Sequence, residues 1–152
     1  MADHLRLQCR DRIVTLMIGL ASSPKVIKSF PDEYTIDRVT ELPAVIVNIG
    51  AELISVSESM GMNRPRVMQR EADFNLALCV EDNADCDDTL ISFQAEVEKA
   101  IGGSTGNPWK YITPIDSDPT ALSGAAQKVR GKLNLRYRAT YFARENAPDV
   151  AL

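Results

Sequence analysis

Residues 128–143 read KVRGKLNLRYRATYFA, and apolar and polar residues alternate along most of this stretch. Successive side chains of a strand point to opposite faces of a sheet. One face of this strand would then be apolar, with Val129, Leu133, Leu135, Tyr137, Ala139 and Tyr141. The other face, called the basic face below, would carry Lys128, Arg130, Lys132, Asn134, Arg136 and Arg138. The stretch predicts a long strand with its apolar face on a core.

Four further stretches are typical of strands. Residues 44–49 form a continuous, mostly β-branched run that predicts a central strand, and residues 52–57 either extend it or begin an arm beyond a bend at Gly50. Residues 72–80 alternate between apolar and polar positions. A short strand is predicted over residues 26–30, and another over 109–115 before a turn at 116–119.

Two stretches have the apolar periodicity of helices. Apolar residues recur at three- and four-residue steps over residues 3–21, with Asp3 as a candidate N-cap, and again over 83–101. Together these patterns predict one α+β domain over residues 1–152, with residues 144–152 as a flexible tail. Its antiparallel or mixed sheet would have four to five strands, with two main helices on one face. The other face of the sheet would be uncovered and polar.

Composition and charge narrow the function classes. The chain has 152 residues, 45% of them hydrophobic and 25% charged, as in ordinary folded domains. Its formal net charge of −4 argues against a general affinity for nucleic acid. Neither a signal peptide nor an apolar run long enough to cross a membrane is expected from the sequence.

Motifs for chemistry are scarce. The single histidine, His4, is expected at the surface, which leaves no histidine relay for catalysis. The glycine-rich residues 102–106 follow a helix instead of linking a strand to one, and the acidic run at 81–88 lacks the glycine and glutamate of a calcium loop. We therefore expect no catalytic, cofactor or metal site. The cysteines lack metal-ligand spacing and are predicted to be free thiols: Cys9, Cys79 and Cys86.

The basic face has three interpretations. A nucleic-acid surface would need interleaved aromatic residues, and none lies on this face before Phe142. Its arginines and lysines would alternatively pair within the sheet, with Glu71, Asp73 and Glu81 of the preceding long strand. Contact with a neighbouring subunit is the third interpretation, and it is compatible with the second. The residues proposed for such contacts are Lys132, Arg136, Arg138, Glu71 and Asp73.

The loop over residues 57–67 is a second candidate contact surface. It combines flexible apolar methionines with arginines, which an interface uses better than an isolated loop does. The residues singled out are Met60, Met62, Arg64 and Arg66.

Several segments together resemble one protein family. They are LPAVIVNIGAE at 42–52, RPR at 64–66, ADFNLALCVE at 72–81, FQAEVEKAIGG at 93–103 and LNLRYRATYFARENAPD at 133–149. In the order of their elements and in general sequence character they resemble the small tail-terminator, or tail-completion, proteins of long-tailed bacteriophages.

The resemblance implies a non-enzymatic virion protein that forms a homohexameric ring. Such a ring caps the tail tube and joins it to the head–tail connector, with the tail sheath as a further candidate partner. Genomic DNA passes through it without specific binding, and the ring is assembled in the host cytoplasm. Another neck protein or a tail-tube-like subunit is the alternative in the same class. A small nucleic-acid-binding module and a hydrolase are the alternatives from other classes.

Overall fold

The computed structural model describes residues 4–29, 42–58, 65–82, 86–122 and 129–152. Helix α1 spans Leu5–Ile18 and α2 spans Cys86–Gly102. The strands are β1 (Lys25–Ser29), β2 (Ala44–Glu58), β3 (Val67–Asp82), β4 (Tyr111–Leu122) and β5 (Val129–Arg144). They form one sheet in the order β1-β2-β3-β5-β4, in which only β1 and β2 run parallel. The predicted α+β class is confirmed.

The core lies between the sheet and both helices. On β3 and β5 the alternation places matching apolar residues opposite each other, such as Leu76 with Leu135 and Leu78 with Leu133. Cys9, Ile13 and Met17 of α1 and Phe93, Val97 and Ile101 of α2 cover this face and are buried with it. Burying one large aliphatic or aromatic side chain contributes about 1.5–3 kcal/mol, so this layer is the main source of stability. The predicted apolar face of β5 is confirmed over Leu133, Leu135, Tyr137, Ala139 and Tyr141.

Strand β2 continues through an irregularity at Gly50. The pairing with β3 shifts between Ile49 and Glu52, after which Glu52 lies opposite Ala72, a core residue. A Cβ at position 50 would lie 3.1 Å from Cβ and the carbonyl oxygen of Asp73, so glycine lets the two strands approach here without displacing Asp73. The shift places Glu52 on the helix side of the sheet. Residues 52–57 thus extend the central strand.

The predicted boundaries of the fourth strand are wrong. Trp109 precedes β4, and the strand continues through residues 116–119, where a turn was predicted. Proline is tolerated on an edge strand, because one side of that strand needs no ladder hydrogen bond. Pro114 adjoins a register shift against β5, and Pro119 lies opposite Leu133. The long partner β5 therefore overrides the local turn signals.

The sheet face away from the helices is not wholly polar, contrary to the prediction. Four of its residues are buried in a small apolar cluster, against which Ile27 and Leu42 pack: Ala44, Ile46, Ala77 and Cys79. Small and aliphatic side chains from β2 and β3 meet here because their pairing register aligns them. Polar residues dominate this open face only toward β5 and β4.

Helix α1 and the chain terminus are joined by hydrogen bonds. His4 caps the helix, its Nδ1 accepting from the backbone N–H of Arg6 at 3.1 Å, whereas the predicted cap Asp3 lies outside the described residues. The Leu5 N–H donates to the carbonyl of Pro148 at 3.1 Å, and Gln8 Nε2 donates to the carbonyl of Asp149. These bonds hold residues 144–152 against the fold, while their flexibility stays a prediction. Neither described helix combines the length and hydrophobicity that a membrane span requires.

Candidate functional site

One arginine of the basic face pairs within the sheet as predicted. Arg138 lies directly opposite Asp73, and its Nε is 2.7 Å from Asp73 Oδ1, with Nη2 3.2 Å from Oδ2. Asp73 is only 8% exposed, so its carboxylate depends on this two-point contact. The hydrogen bonds that Arg138 donates to Asp73, together with the negative charge of Asp73, raise the pKa of Arg138. For this pair, the in-sheet interpretation is confirmed.

A second arginine pairs with a residue that sequence reasoning did not identify. Arg136 Nη2 contacts Asp116 Oδ2 of β4 at 2.6 Å, and on β3 it faces Asn75. Asp116 was missed because the strand was predicted to end at residue 115. Both arginines thus have a carboxylate partner, which reduces the positive charge available to phosphates.

The remaining predicted contact residues are placed as follows. Lys132 lies between Cys79 of β3 and Thr120 of β4 in register, and Glu71 accepts a hydrogen bond from Gln69 at 3.0 Å. Arg66 forms an ion pair with Glu145 at 2.9 Å. Met60, Met62 and Arg64 lie outside the described residues. Contact of any of these residues with another subunit stays a prediction.

Three strands continue past the level at which β1 ends, and we call this part of the sheet the distal arm: residues 51–58 of β2, 67–71 of β3 and 140–144 of β5. Strand β1 pairs with β2 only as far as Asn48. From residue 49 to 58, the outer side of β2 therefore has no strand partner in the described ranges, and we call it the β2 edge. Large apolar side chains are exposed on it: Leu53 at 61%, Ile54 at 51% and Val56 at 48%.

The opposite side of the distal arm is covered. Strand β4 begins at Tyr111, which pairs with Thr140 of β5. Beyond Thr140, the terminal residue Leu152 lies beside β5 instead. The Leu152 N–H donates to the carbonyl of Phe142 at 3.0 Å, whereas the bond from the Glu145 N–H to the carbonyl of Arg66 continues the pairing of β5 with β3. Among the described residues, the outer side of β2 is thus the side of the distal arm without a strand partner.

A buried polar cluster supports the base of the distal arm. Arg70 Nη1 is 3.0 Å from Glu52 Oε1, and the Tyr141 hydroxyl donates to Glu52 Oε2. The side chains of Arg70 and Glu52 are 13% and 9% exposed. Burial and the bond to Glu52 raise the pKa of Tyr141 above its usual range, so the hydroxyl stays a donor. Next to this cluster, Arg6 of α1 donates through Nη2 to the Gly50 carbonyl.

His4 is half-buried beside this cluster, so its predicted place at the surface is wrong. Its Nε2 lies 3.2 Å from Arg70 Nη1. Its Nδ1 accepts the cap hydrogen bond from the backbone N–H of Arg6. His4 therefore acts as a helix cap next to the Arg70–Glu52 pair.

Sequence reasoning missed this cluster because its members come from distant strands. Arg70 and Glu52 are 18 residues apart, and Tyr141 and Glu52 are 89 residues apart. One signal was available: Arg70 continues the even-numbered, core-facing series of β3, where a charged residue needs a partner. The partner could not be identified, because the register shift at Gly50 decides which β2 side chain faces it.

In the described ranges, the two buried cysteines are poor nucleophiles and no cluster of potential metal ligands is present. Burial raises the pKa of Cys9 to about 12 and that of Cys79 to about 11, so neither thiol is a ready nucleophile. All three cysteines are free thiols, as predicted. No group of three or more histidine, cysteine or acidic side chains lies close enough in these ranges to hold a metal ion.

No protein family model matches the chain, and no curated protein matches it.

Proposed function

We propose that this protein is a non-enzymatic subunit that assembles with copies of itself into a ring, and that the ring is the tail terminator of a long-tailed bacteriophage virion. The observation that carries the self-assembly is the β2 edge. The tail-terminator assignment, with its hexamer, tail tube and head–tail connector, is supported by the sequence resemblance alone.

The β2 edge combines two features that favour protein contact. Its outer backbone groups lack a strand partner among the described residues, and an unpaired edge is a template for another chain. Leu53, Ile54 and Val56 also place apolar area in water. Covering apolar surface contributes about 25 cal/mol per Å² removed from water. An assembly that covers this edge therefore gains from both features at once.

The pairing of the basic face supports the same class of function. A surface that binds nucleic acid gains affinity by neutralising phosphates with unpaired cations. The charges of Arg136 and Arg138 are instead compensated by ion pairs with Asp116 and Asp73. Contacts of this kind would let DNA pass a ring without being retained.

The self-assembly is tested with Leu53→Lys, which places a charge in the middle of the β2 edge. Its matched control is Ile91→Lys, since Ile91 is 64% exposed on α2, away from that edge. We expect Leu53→Lys to abolish or strongly weaken self-association in light scattering, with unchanged thermal unfolding of the monomer. Ile91→Lys should assemble normally. Equal assembly of both variants would show that the β2 edge is not the contact.

The terminator assignment is tested with purified tail tubes of the phage that encodes the chain. Added protein should stop tube elongation and appear as a ring at one tube end in electron micrographs. Incorporation along the tube would identify a tail-tube-like subunit, and binding only to heads would identify a neck protein. A chain that stays monomeric and leaves tubes elongating would overturn the proposal.

A further inference from the structure

The exposed apolar side chains of the described residues are concentrated on the distal arm. Nine large hydrophobic residues are exposed, and six of them lie on the two outer sides of the arm, three on each. The β2 edge carries Leu53, Ile54 and Val56, and the opposite side, called the β5 side below, carries Tyr111, Val150 and Leu152. From this we infer that the β2 edge of one copy packs against the β5 side of the next copy. The inference rests on the proposed self-assembly and specifies its contact.

One row of paired residues crosses the whole distal arm. It runs from Leu53 of β2 through Glu71 of β3 and Thr140 of β5 to Tyr111 of β4. Directly paired residues share a face of the sheet, so Leu53 and Tyr111 both lie on the face away from the helices. They are 61% and 59% exposed, which leaves an apolar side chain in water at each end of the row.

A second row extends this match along the arm. Ser55 of β2 pairs with Gln69 of β3, which pairs with Phe142 of β5. The carbonyl of Phe142 accepts the hydrogen bond from the Leu152 N–H at 3.0 Å, so Leu152 ends this row on the β5 side. The residues on either side of Ser55 are the other two apolar residues of the β2 edge. The apolar residues of the two sides therefore lie at the same levels.

The helix side of the arm shows the same correspondence. Ile54 and Val56 belong to the rows of β2 that face the helices. On the β5 side, the chain reaches Val150 from the same face, because the carbonyl of Asp149 accepts a hydrogen bond from Gln8 of α1 at 2.9 Å. Copies placed side by side without a shift along the strands would thus cover apolar area on both faces of the sheet. Each Å² removed from water contributes about 25 cal/mol.

Strand direction favours this placement. Strands β2 and β5 run parallel to each other, since each is antiparallel to β3. The segment 145–152 returns antiparallel to β5, with a bridge from Ala147 to Arg144 before the bond from Leu152 to Phe142. Copies related by rotation about an axis along the strands would present this segment antiparallel to the neighbour's β2, the direction that pairs slightly better. A contact between two different surfaces closes into a ring when the rotation permits.

Two variants each disrupt one side of this contact. Leu53→Lys places a charge on the β2 edge, and Val150→Lys with Leu152→Lys places charges on the β5 side. Each alone should self-associate at least about tenfold more weakly than the unchanged protein, because a lysine without a partner is costly to bury. Tyr111→Lys tests the β5 side without changing the segment 145–152, and Ile91→Lys on α2 is the control that should assemble normally.

A one-to-one mixture of the two variants gives the sharpest result. The intact β5 side of the Leu53→Lys chain can bind the intact β2 edge of the other variant, whereas every further contact would bury a lysine. The mixture should therefore form heterodimers and nothing larger.

Light scattering, with circular dichroism to check folding, separates the outcomes. Heterodimers in the mixture of folded variants support the contact. If the variants of the β5 side assemble like the unchanged protein, the β2 edge binds another surface, such as a second β2 edge. In that case, or if the folded variants stay monomeric when mixed, this contact is wrong while the self-assembly proposal stands. If the unchanged protein never assembles, even with tail tubes, the proposed function itself fails.

Discussion

The β2 edge and β4 are both outer sides of one sheet, yet they differ in the prolines and charged residues that they expose to solvent. Strand β4 has two prolines and two exposed aspartates, features by which proteins keep edge strands from pairing unspecifically. Residues 53–56 of β2 read Leu-Ile-Ser-Val, with neither charge nor proline. The contrast teaches that the features which prevent unspecific pairing lie on β4 and are missing from residues 53–56 of β2.

The largest expected effect comes from removing the support of the distal arm. Glu52→Ala leaves Arg70 buried without its carboxylate partner, a change that costs about 3–5 kcal/mol in the free energy of unfolding. Denaturant unfolding followed by circular dichroism measures it. Glu52→Leu with Arg70→Met removes both charges and should recover most of the loss. An unchanged midpoint for Glu52→Ala would show that the cluster does not hold the arm.

An intermediate effect distinguishes the pair inside the sheet from the pair at β4. Asp73→Ala removes a buried carboxylate that binds Arg138 at two points, whereas Asp116→Ala removes an exposed partner of Arg136. We expect the melting temperature to fall by about 4 °C for Asp73→Ala and by less than about 2 °C for Asp116→Ala. The reverse order would show that the exposed Arg136–Asp116 pair contributes more to stability than the buried Arg138–Asp73 pair.

The smallest effect on monomer stability is expected from removing a proline from β4. Pro119→Val restores a backbone N–H and adds a β-branched residue to an edge strand, which should change the free energy of unfolding by less than about 1 kcal/mol. Unspecific self-association should rise, seen as polydisperse light scattering. Thr113→Val, on the same strand, exchanges one β-branched residue for an apolar one without restoring a donor. Equal behaviour of the two variants would mean that proline does not protect this side.

Most of the sheet could be predicted from the sequence, because its central strands alternate regularly. The apolar face of β5 and the even-numbered face of β3 required only the two-residue period. Strand β4 was predicted too short, since its turn-forming residues Asp116–Pro119 reflect an edge position that only the sheet order reveals. The cluster of Glu52, Arg70 and Tyr141 was missed because a shift of register at Gly50 decides which side chains meet.

The wide separation of β3 and β5 along the chain has a kinetic consequence. Asp73 and Arg138 pair across 65 residues, whereas β2 and β3 follow one another and pair locally. Loop closure across long separations slows folding, so β2 and β3 are expected to pair before β5 joins them. During synthesis the β2 edge would then be exposed to solvent before β4 leaves the ribosome. Translation of many copies at high local concentration would bring such β2–β3 hairpins together early. A chaperone that covers the β2 edge would be most useful in that interval.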